Sequence, residues 1–445
     1  MERRATHMKC WDFWRYTVGI GAATALLAGC GGGSQPPIGA PVVGMPLQAQ
    51  MRSGAAVARD STIAHHNKTA SPSYQVVYRF AGGTDGQNPQ ASLIDVNGTL
   101  YGTTTAGGAY CEGSASTGCG TVFSVTPTGT EDVLHSFGNG ADGTAPTSSL
   151  INVKGRLYST TEFGGANGDG TVFSITSAGA ETVLHSFGDS GDGADPYASL
   201  INVKGTLYGT TQKGGNAACY FGFACGTVFK ITPSGKESIV YSFKGSYYGD
   251  GANPAAPLVN VNGTLYGTTP NGGRREDGTV FAVTQSGTEN VLHSFNIVRR
   301  SDSGAYPYAA LIDVNGTLYG ATRQGGGSNF GTIFSITPSR AFAVLLSFNL
   351  TDGAFPHAGL INVKGTLYGT TEVGGANGVG TVFAITTSGM ETVLHSFGGS
   401  GDGEYPLAGL INLKGTLYGT TYAGGSGSCS FSGYSGCGTV FSLTP

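Results

Sequence analysis

Charge is scarce in this sequence. Only 11% of its 445 residues are Asp, Glu, Lys or Arg, less than half the usual ~25%. The net charge is -4, which leaves no basic footprint for nucleic acid. Tryptophan is confined to Trp11 and Trp14. No Ala/Glu/Lys/Leu-rich heptad occurs, so a coiled coil is excluded. Few charges beside 39% apolar residues also argue against disorder, which needs the reverse balance. What abounds is glycine: 77 residues, far above the usual ~7%.

Residues 1–29 form a unit of their own. Arg3, Arg4, Lys9 and Arg15 make a basic head, and 16–28 is apolar or small throughout. That run is too short for a comfortable membrane span of ~20 residues and reads as an export signal. It ends in Leu27-Ala28-Gly29-Cys30, which resembles the bacterial lipobox. The resemblance implies diacylation of Cys30 and cleavage before it, and more than one acyl chain anchors stably. Gly31 in place of Asp implies the outer membrane. Residues 30–73, rich in Gly, Pro, Ala and Ser, read as a lipidated flexible tether. The expected location is therefore the bacterial cell envelope, with membrane contact through the N-terminal lipid.

Self-similarity dominates residues 74–445. Leu-Tyr recurs with its tyrosine at 101, 158, 208, 266, 319, 368 and 418. The cleanest copy, LINVKGTLYGTTEVGGANGVGTVFAITTSGMETVLHSF from Leu360 to Phe397, contains four short segments rich in Val, Ile, Thr, Tyr and Phe. Gly-containing turns bound each one, which is the signature of strands. We name them a (LINV), b (TLYGTT), c (TVFAIT) and d (ETVLHSF). Asn-Gly or Lys-Gly joins a to b in every copy, for example Asn97-Gly98 and Lys154-Gly155. Such a pair suits a tight hairpin, where both central residues need positive φ. Each unit is thus predicted to be a four-stranded antiparallel meander of blade size.

The chain ends carry the topology. The repeats open with an isolated strand d (YQVVYRF, from Tyr74 to Phe80) and close with an isolated a-b-c. The first d then pairs with the last c, an offset useful to a closed ring, which removes exposed strand edges. The predicted fold is an all-β, seven-bladed β-propeller. The phrases GTLYGTT, GG, GTVFSIT, VLHSF and DGxxP resemble the Gloeo/Verruco-type (GloVer) tandem repeat over residues 74–445. That resemblance implies a "choice-of-anchor" bacterial envelope protein and bears on fold and location. Kelch repeats share the Gly-Gly after strand b but usually carry a Trp that these repeats lack.

In a meander the a–b and c–d turns fall on one face and the b–c and d–a loops on the other. The second face varies in length and composition, and recognition favours such loops. Six cysteines form three local pairs inside single b–c loops, Cys111–Cys119, Cys219–Cys225 and Cys429–Cys437. They are read as disulfides, in keeping with export. Two thiolates per loop fall short of a four-ligand metal site. The loops also carry Tyr110, Tyr220, Phe221, Phe223, Phe431 and Tyr434, with Arg274 and Arg275 on the same face. Aromatics on pinned loops suit stacking on sugars or filling a partner's pocket, and they also suit packing within their own loops.

The d–a loops hold Asp-Gly-x-x-Pro at Asp85, Asp142, Asp192, Asp250, Asp352 and Asp402, with Ser303 in the fifth copy. One Asp per loop falls short of a Ca²⁺ site and reads as turn capping. His135, His185, His293 and His395 share a strand-d position with Tyr78, Tyr241 and Leu346, which reads as packing. Glu162, Glu372 and Arg323, each directly after the Thr pair of strand b (Ala-Thr in blade 5), are the symmetry-breaking charges. No Ser/His/Asp phrase, metal triad or phosphate loop appears, so no catalytic residue, metal or cofactor is assigned. The expected function is an envelope-anchored, monomeric binding module with a glycan or protein ligand on the b–c/d–a face. The alternatives are a polysaccharide lyase or hydrolase using that face's acids, and a structural envelope protein.

Overall fold

The computed structural model describes residues 71–445 apart from 111–118, 189–190, 217–224, 298–302 and 432–433, and the backbone alone of Phe431. Seven four-stranded antiparallel sheets form the seven blades of a β-propeller. Their strands a are Ile94–Val96, Ile151–Val153, Ile201–Val203, Val259–Val261, Ile312–Val314, Ile361–Val363 and Ile411–Leu413, in blades 1 to 7. In blade 1, strands b, c and d follow at Thr99–Thr104, Thr121–Val125 and Glu131–Ser136. Blade 7 takes its strand d from the other end of the chain. Ser73–Arg79 pairs antiparallel with Thr439–Thr444, Tyr74 opposite Leu443 and Tyr78 opposite Val440. The ring is closed as the offset of the repeats requires.

Two buried contacts repeat at every step. The last Phe of each strand d packs edge-on against the strand-c Phe of the next blade. Ring centroids lie 5.0–5.4 Å apart, from Phe80–Phe123 round to Phe397–Phe441. Aromatic pairs favour this edge-to-face arrangement. Within each blade the final Thr of strand b bonds the first Thr of strand c, 2.8 Å between hydroxyls in all seven copies. The Gly of Asp-Gly-x-x-Pro sits on this pair: a Cβ on Gly251 would lie 2.6 Å from Thr269. Close approach explains the glycine at Gly193, Gly251 and Gly403, and it adds to a left-handed φ at Gly86, Gly143, Gly304 and Gly353.

Two details refine the face assignment. The c–d turn of one blade leans on the outer strand of the blade before it, a Cβ on Gly129 falling 2.6 Å from the Val77 carbonyl. The d–a loop also pairs with the b–c loop of its own blade. It does so by short ribbons such as Gly193–Ala194 with Lys213–Gly214, or by single bridges such as Ala354 with Val373. The variable face is therefore built from paired backbone.

Asp-Gly-x-x-Pro does more than cap. Asp142 accepts the Gly138 N–H at 3.1 Å and lies 3.1 Å from His135 Nε2. Asp192 and Asp402 likewise pair with His185 and His395, at 2.8 and 2.9 Å. Asp85 and Asp250 accept from the Tyr78 and Tyr241 hydroxyls, 2.7 and 2.8 Å. The strand-d position read as packing is thus polar at five of seven blade junctions. A glutamate opening the next strand d faces this pair, and burial pushes Glu131, Glu181, Glu237 and Glu391 up to about 7 and Glu289 to about 8. At the fourth junction Ser303 replaces the Asp and Phe342 the Glu, and His293 stacks on Phe342 at 3.9 Å. At the sixth, Tyr74 takes the place of the Glu, stacks on His395 at 3.7 Å and bonds Asp402.

Candidate functional site at the mouth of the central channel

The segment around each d–a proline turns the chain from the rim into strand a, so it surrounds the axis. The residue before the proline is Asn88, Ala145, Asp195, Asn253, Tyr306, Phe355 or Tyr405. All seven have φ between 52 and 58, a region that L-residues other than Asn and Asp rarely enter. Backbone bonds hold each one there. Its N–H donates to a carbonyl of the preceding blade, as Tyr306 to Asp277 and Tyr405 to Val379, both 2.9 Å. In six blades its carbonyl accepts the N–H of the residue after the strand-b Thr, as Glu162 to Ala145 at 3.0 Å. Blade 4 lacks that bond because Pro270 has no N–H; there the Asn271 amide bonds the Asn253 side chain instead.

Onto this repeated frame the chain places six kinds of side chain just after the seven prolines: Gln90, Thr147, Tyr197, Ala255, Tyr308, His357 and Leu407. They line an axial cavity of about 220 Å³, with Ser92, Ser149 and Ser199 below them. Tyr308 and His357 stack, 5.2 Å between centroids. Burial raises the Tyr308 hydroxyl and lowers His357, so the imidazole is neutral near pH 7. Burial also raises Tyr197, with Glu162, Tyr308, Tyr422 and Glu372 adding to the shift.

Charges stand around this floor in matched pairs. Arg323 bonds Glu372 at 3.1 Å and lies over the Phe355 ring at 5.1 Å. Lys213 bonds Asp195 at 2.6 Å, yet burial still raises Asp195. Glu162 is pushed up to about 7 by burial first and by Asp195 second. On blades 6 and 7, Tyr434 packs on Tyr405 at 4.7 Å and on Tyr422 at 5.6 Å, and both Glu372 and Arg323 act on its hydroxyl. The mouth combines aromatic faces, hydroxyls and neutralised charges.

Of the residues singled out from sequence, Glu162, Glu372, Arg323 and Tyr434 meet here. Tyr434 is half-buried, with Tyr405 and Tyr422 packed against it. Tyr110, Arg274 and Arg275 are exposed in the b–c loops of blades 1 and 4. Cys429–Cys437 is a disulfide. Cys30, Cys111, Cys219, Tyr220, Phe221 and Phe223 lie outside the described residues, as does the side chain of Phe431; Cys119 and Cys225 are the described halves of their expected pairs. Tyr197, Tyr308, His357, Tyr306, Phe355 and Tyr405 escaped the sequence reading. Their signal was present, since the positions flanking an unvarying proline vary from copy to copy while the strand phrases of the repeat stay nearly constant. Elsewhere, His185, Asp192 and Glu237 hold ligand atoms within 4.8 Å of one another, a set able to take a cation. The first junction repeats the His in His135, Asp142 and Glu181, and two others have the same form with Tyr78 or Tyr241 in its place.

The sequence pattern of the Gloeobacter/Verrucomicrobia repeat matches residues 59–220, 111–302 and 284–445. No curated protein matches. Among solved structures, the chain is similar to the gluconolactonase XC5397 from Xanthomonas campestris (11% identity, 84% of this chain and 89% of that one, TM-score 0.40). It is also similar to a luciferin-regenerating enzyme (14%, 84% and 96%, TM-score 0.41) and to a puromycin hydrolase S511A mutant complexed with PGG (12%, 76% and 50%, TM-score 0.47). Likenesses this distant carry no functional meaning.

Proposed function

This chain belongs to the Gloeobacter/Verrucomicrobia repeat family, and we propose that it is an envelope-anchored binding module whose ligand is a neutral glycan held at the channel mouth. One observation carries the reading: blades 5, 6 and 7 place Tyr306, Phe355 and Tyr405 in left-handed backbone, where blades 1 and 4 use Asn. Strain of this kind is kept where a side chain is needed. The aromatics offer faces for sugar rings. Tyr197, Tyr308, Gln90 and the serines offer hydroxyls and an amide that donate and accept. Arg323 and Lys213 are already neutralised by Glu372 and Asp195, which disfavours an anionic ligand. Anchoring through Cys30 in the outer membrane is part of the same proposal and rests on the lipobox.

Titration of the full chain against neutral and acidic oligosaccharides tests it. Binding of a neutral glycan is expected, weakened about tenfold by Tyr197→Phe, the loss of one hydrogen bond of ~1–1.5 kcal/mol. Absence of neutral-glycan binding overturns the reading. Turnover of a bound glycan that Glu162→Gln abolishes replaces it with the polysaccharide-enzyme alternative, Glu162 then supplying the proton.

A further inference from the structure

The opposite end of the channel is ringed by the a–b turns. Their first residues are left-handed, φ 52–56, at Asn97, Lys154, Lys204, Asn262, Asn315, Lys364 and Lys414. Asn tolerates this conformation better than other residues with a Cβ, and three turns use it. Four turns use lysine, which has no short polar side chain to offset the strain. All seven residues are exposed, and a Cβ on the next glycine meets nothing within 4 Å in six of the turns. The lysines therefore stand on tips in open space. They occupy blades 6, 7, 2 and 3, an arc interrupted only by Asn97 on blade 1.

Between Lys364 and Lys414 lies a depression of about 620 Å³, lined also by Thr366, Tyr368 and Asn412. Two ammonium groups, two hydroxyls and an amide make a donor set suited to phosphate oxygens. Arg156, at the start of a strand b, adds to the positive side. Among the described residues, the acids opening the strands d also border this face, Glu181 within reach of the Arg156 charge, and the acids beside the a–b turns themselves are Asp95 and Asp313. Each already accepts a turn N–H, from Gly98 and Gly316, at 2.8 and 2.9 Å. The net charge of -4 thus conceals a division: Glu162, Asp195, Asp277, Glu372 and Glu404 lie with the loops at the far end.

We propose that the a–b turn face docks flat on an anionic lipid bilayer, its four lysines meeting headgroup phosphates and the depression between blades 6 and 7 seating one headgroup. Tips spread over five neighbouring blades match a plane better than a small anion, which needs converging charges. Each Lys near a negative bilayer strengthens partitioning about fivefold. Docked this way, the glycan mouth faces away from the membrane.

The test is vesicle co-sedimentation of the full chain and of its K154N/K204N/K364N/K414N variant, on phosphatidylcholine with and without phosphatidylglycerol. Asn already fills the same position at 97, 262 and 315, so the turns are preserved; unchanged circular dichroism and melting check this. Residues 1–70 are common to both proteins, so their contribution cancels. The wild type is expected to prefer anionic vesicles, with a preference that fades as salt rises. The variant should lose about a hundredfold or more of it. A wild type without that preference, a variant that retains it, or binding of inorganic phosphate without vesicle binding overturns the proposal.

Discussion

A single residue shows how this chain trades backbone comfort for chemistry. Phe355 sits at φ 56 with Arg323 over its ring, where the equivalent Asn88 and Asn253 occupy the same conformation at less cost. Replacing it by Asn or by Ala removes the ring in both cases, so the difference between the two variants isolates the backbone. The Asn variant is expected to be the more stable by about 0.5–1 kcal/mol, read from urea midpoints at constant slope. Both should lose glycan affinity alike. The sequence hides this residue because the aromatics that stand out in it lie in the long b–c loops. The site lies instead where the copies disagree beside a fixed proline, and only coordinates show that those seven positions share one axis.

At the scale of strands, periodicity made nearly everything about the blades legible: four segments per copy, their turns, and the pairing of Tyr74 with the last strand c. Contacts between blades were less so. The Phe–Phe packing is legible in that every copy keeps both rings. The carboxyl clusters were not, because they join the end of one strand d to the start of the next, and that proximity depends on the twist of the blades. These clusters set the response to pH. Five strand-opening glutamates and Glu162 have folded-state values of about 7 to 8, raised from an ordinary 4.5. A raised carboxyl stabilises the fold while protonated, and that contribution disappears as pH climbs through the folded value. His293, lowered to about 4 by burial, works in the opposite sense, its contribution lost as pH falls from 6.5 toward 4. Six carboxyls outweigh one imidazole, so the melting temperature is expected to fall from pH 5 to pH 9. Glu289→Gln should flatten the upper part of that profile. A profile rising toward pH 9 contradicts the assignment.

For the molecule as a whole, closure joins residues 360 or more positions apart through Ser73–Arg79 and Thr439–Thr444. Removing residues 73–79 leaves Thr439–Thr444 as an open edge and strips His395 and Asp402 of Tyr74. An open edge of this length templates association. The shortened chain is expected to melt well below the intact one and to aggregate, by calorimetry and light scattering. Equal stability and a monomeric state count against closure as a source of stability.

That joint also dictates a timetable. While the polypeptide is being made, blades 1 to 6 receive their four strands in turn, but Ser73–Arg79 stays without its pairing partner until Thr439–Thr444 has emerged. A product stopped before Thr439 carries six whole blades and still lacks its clasp.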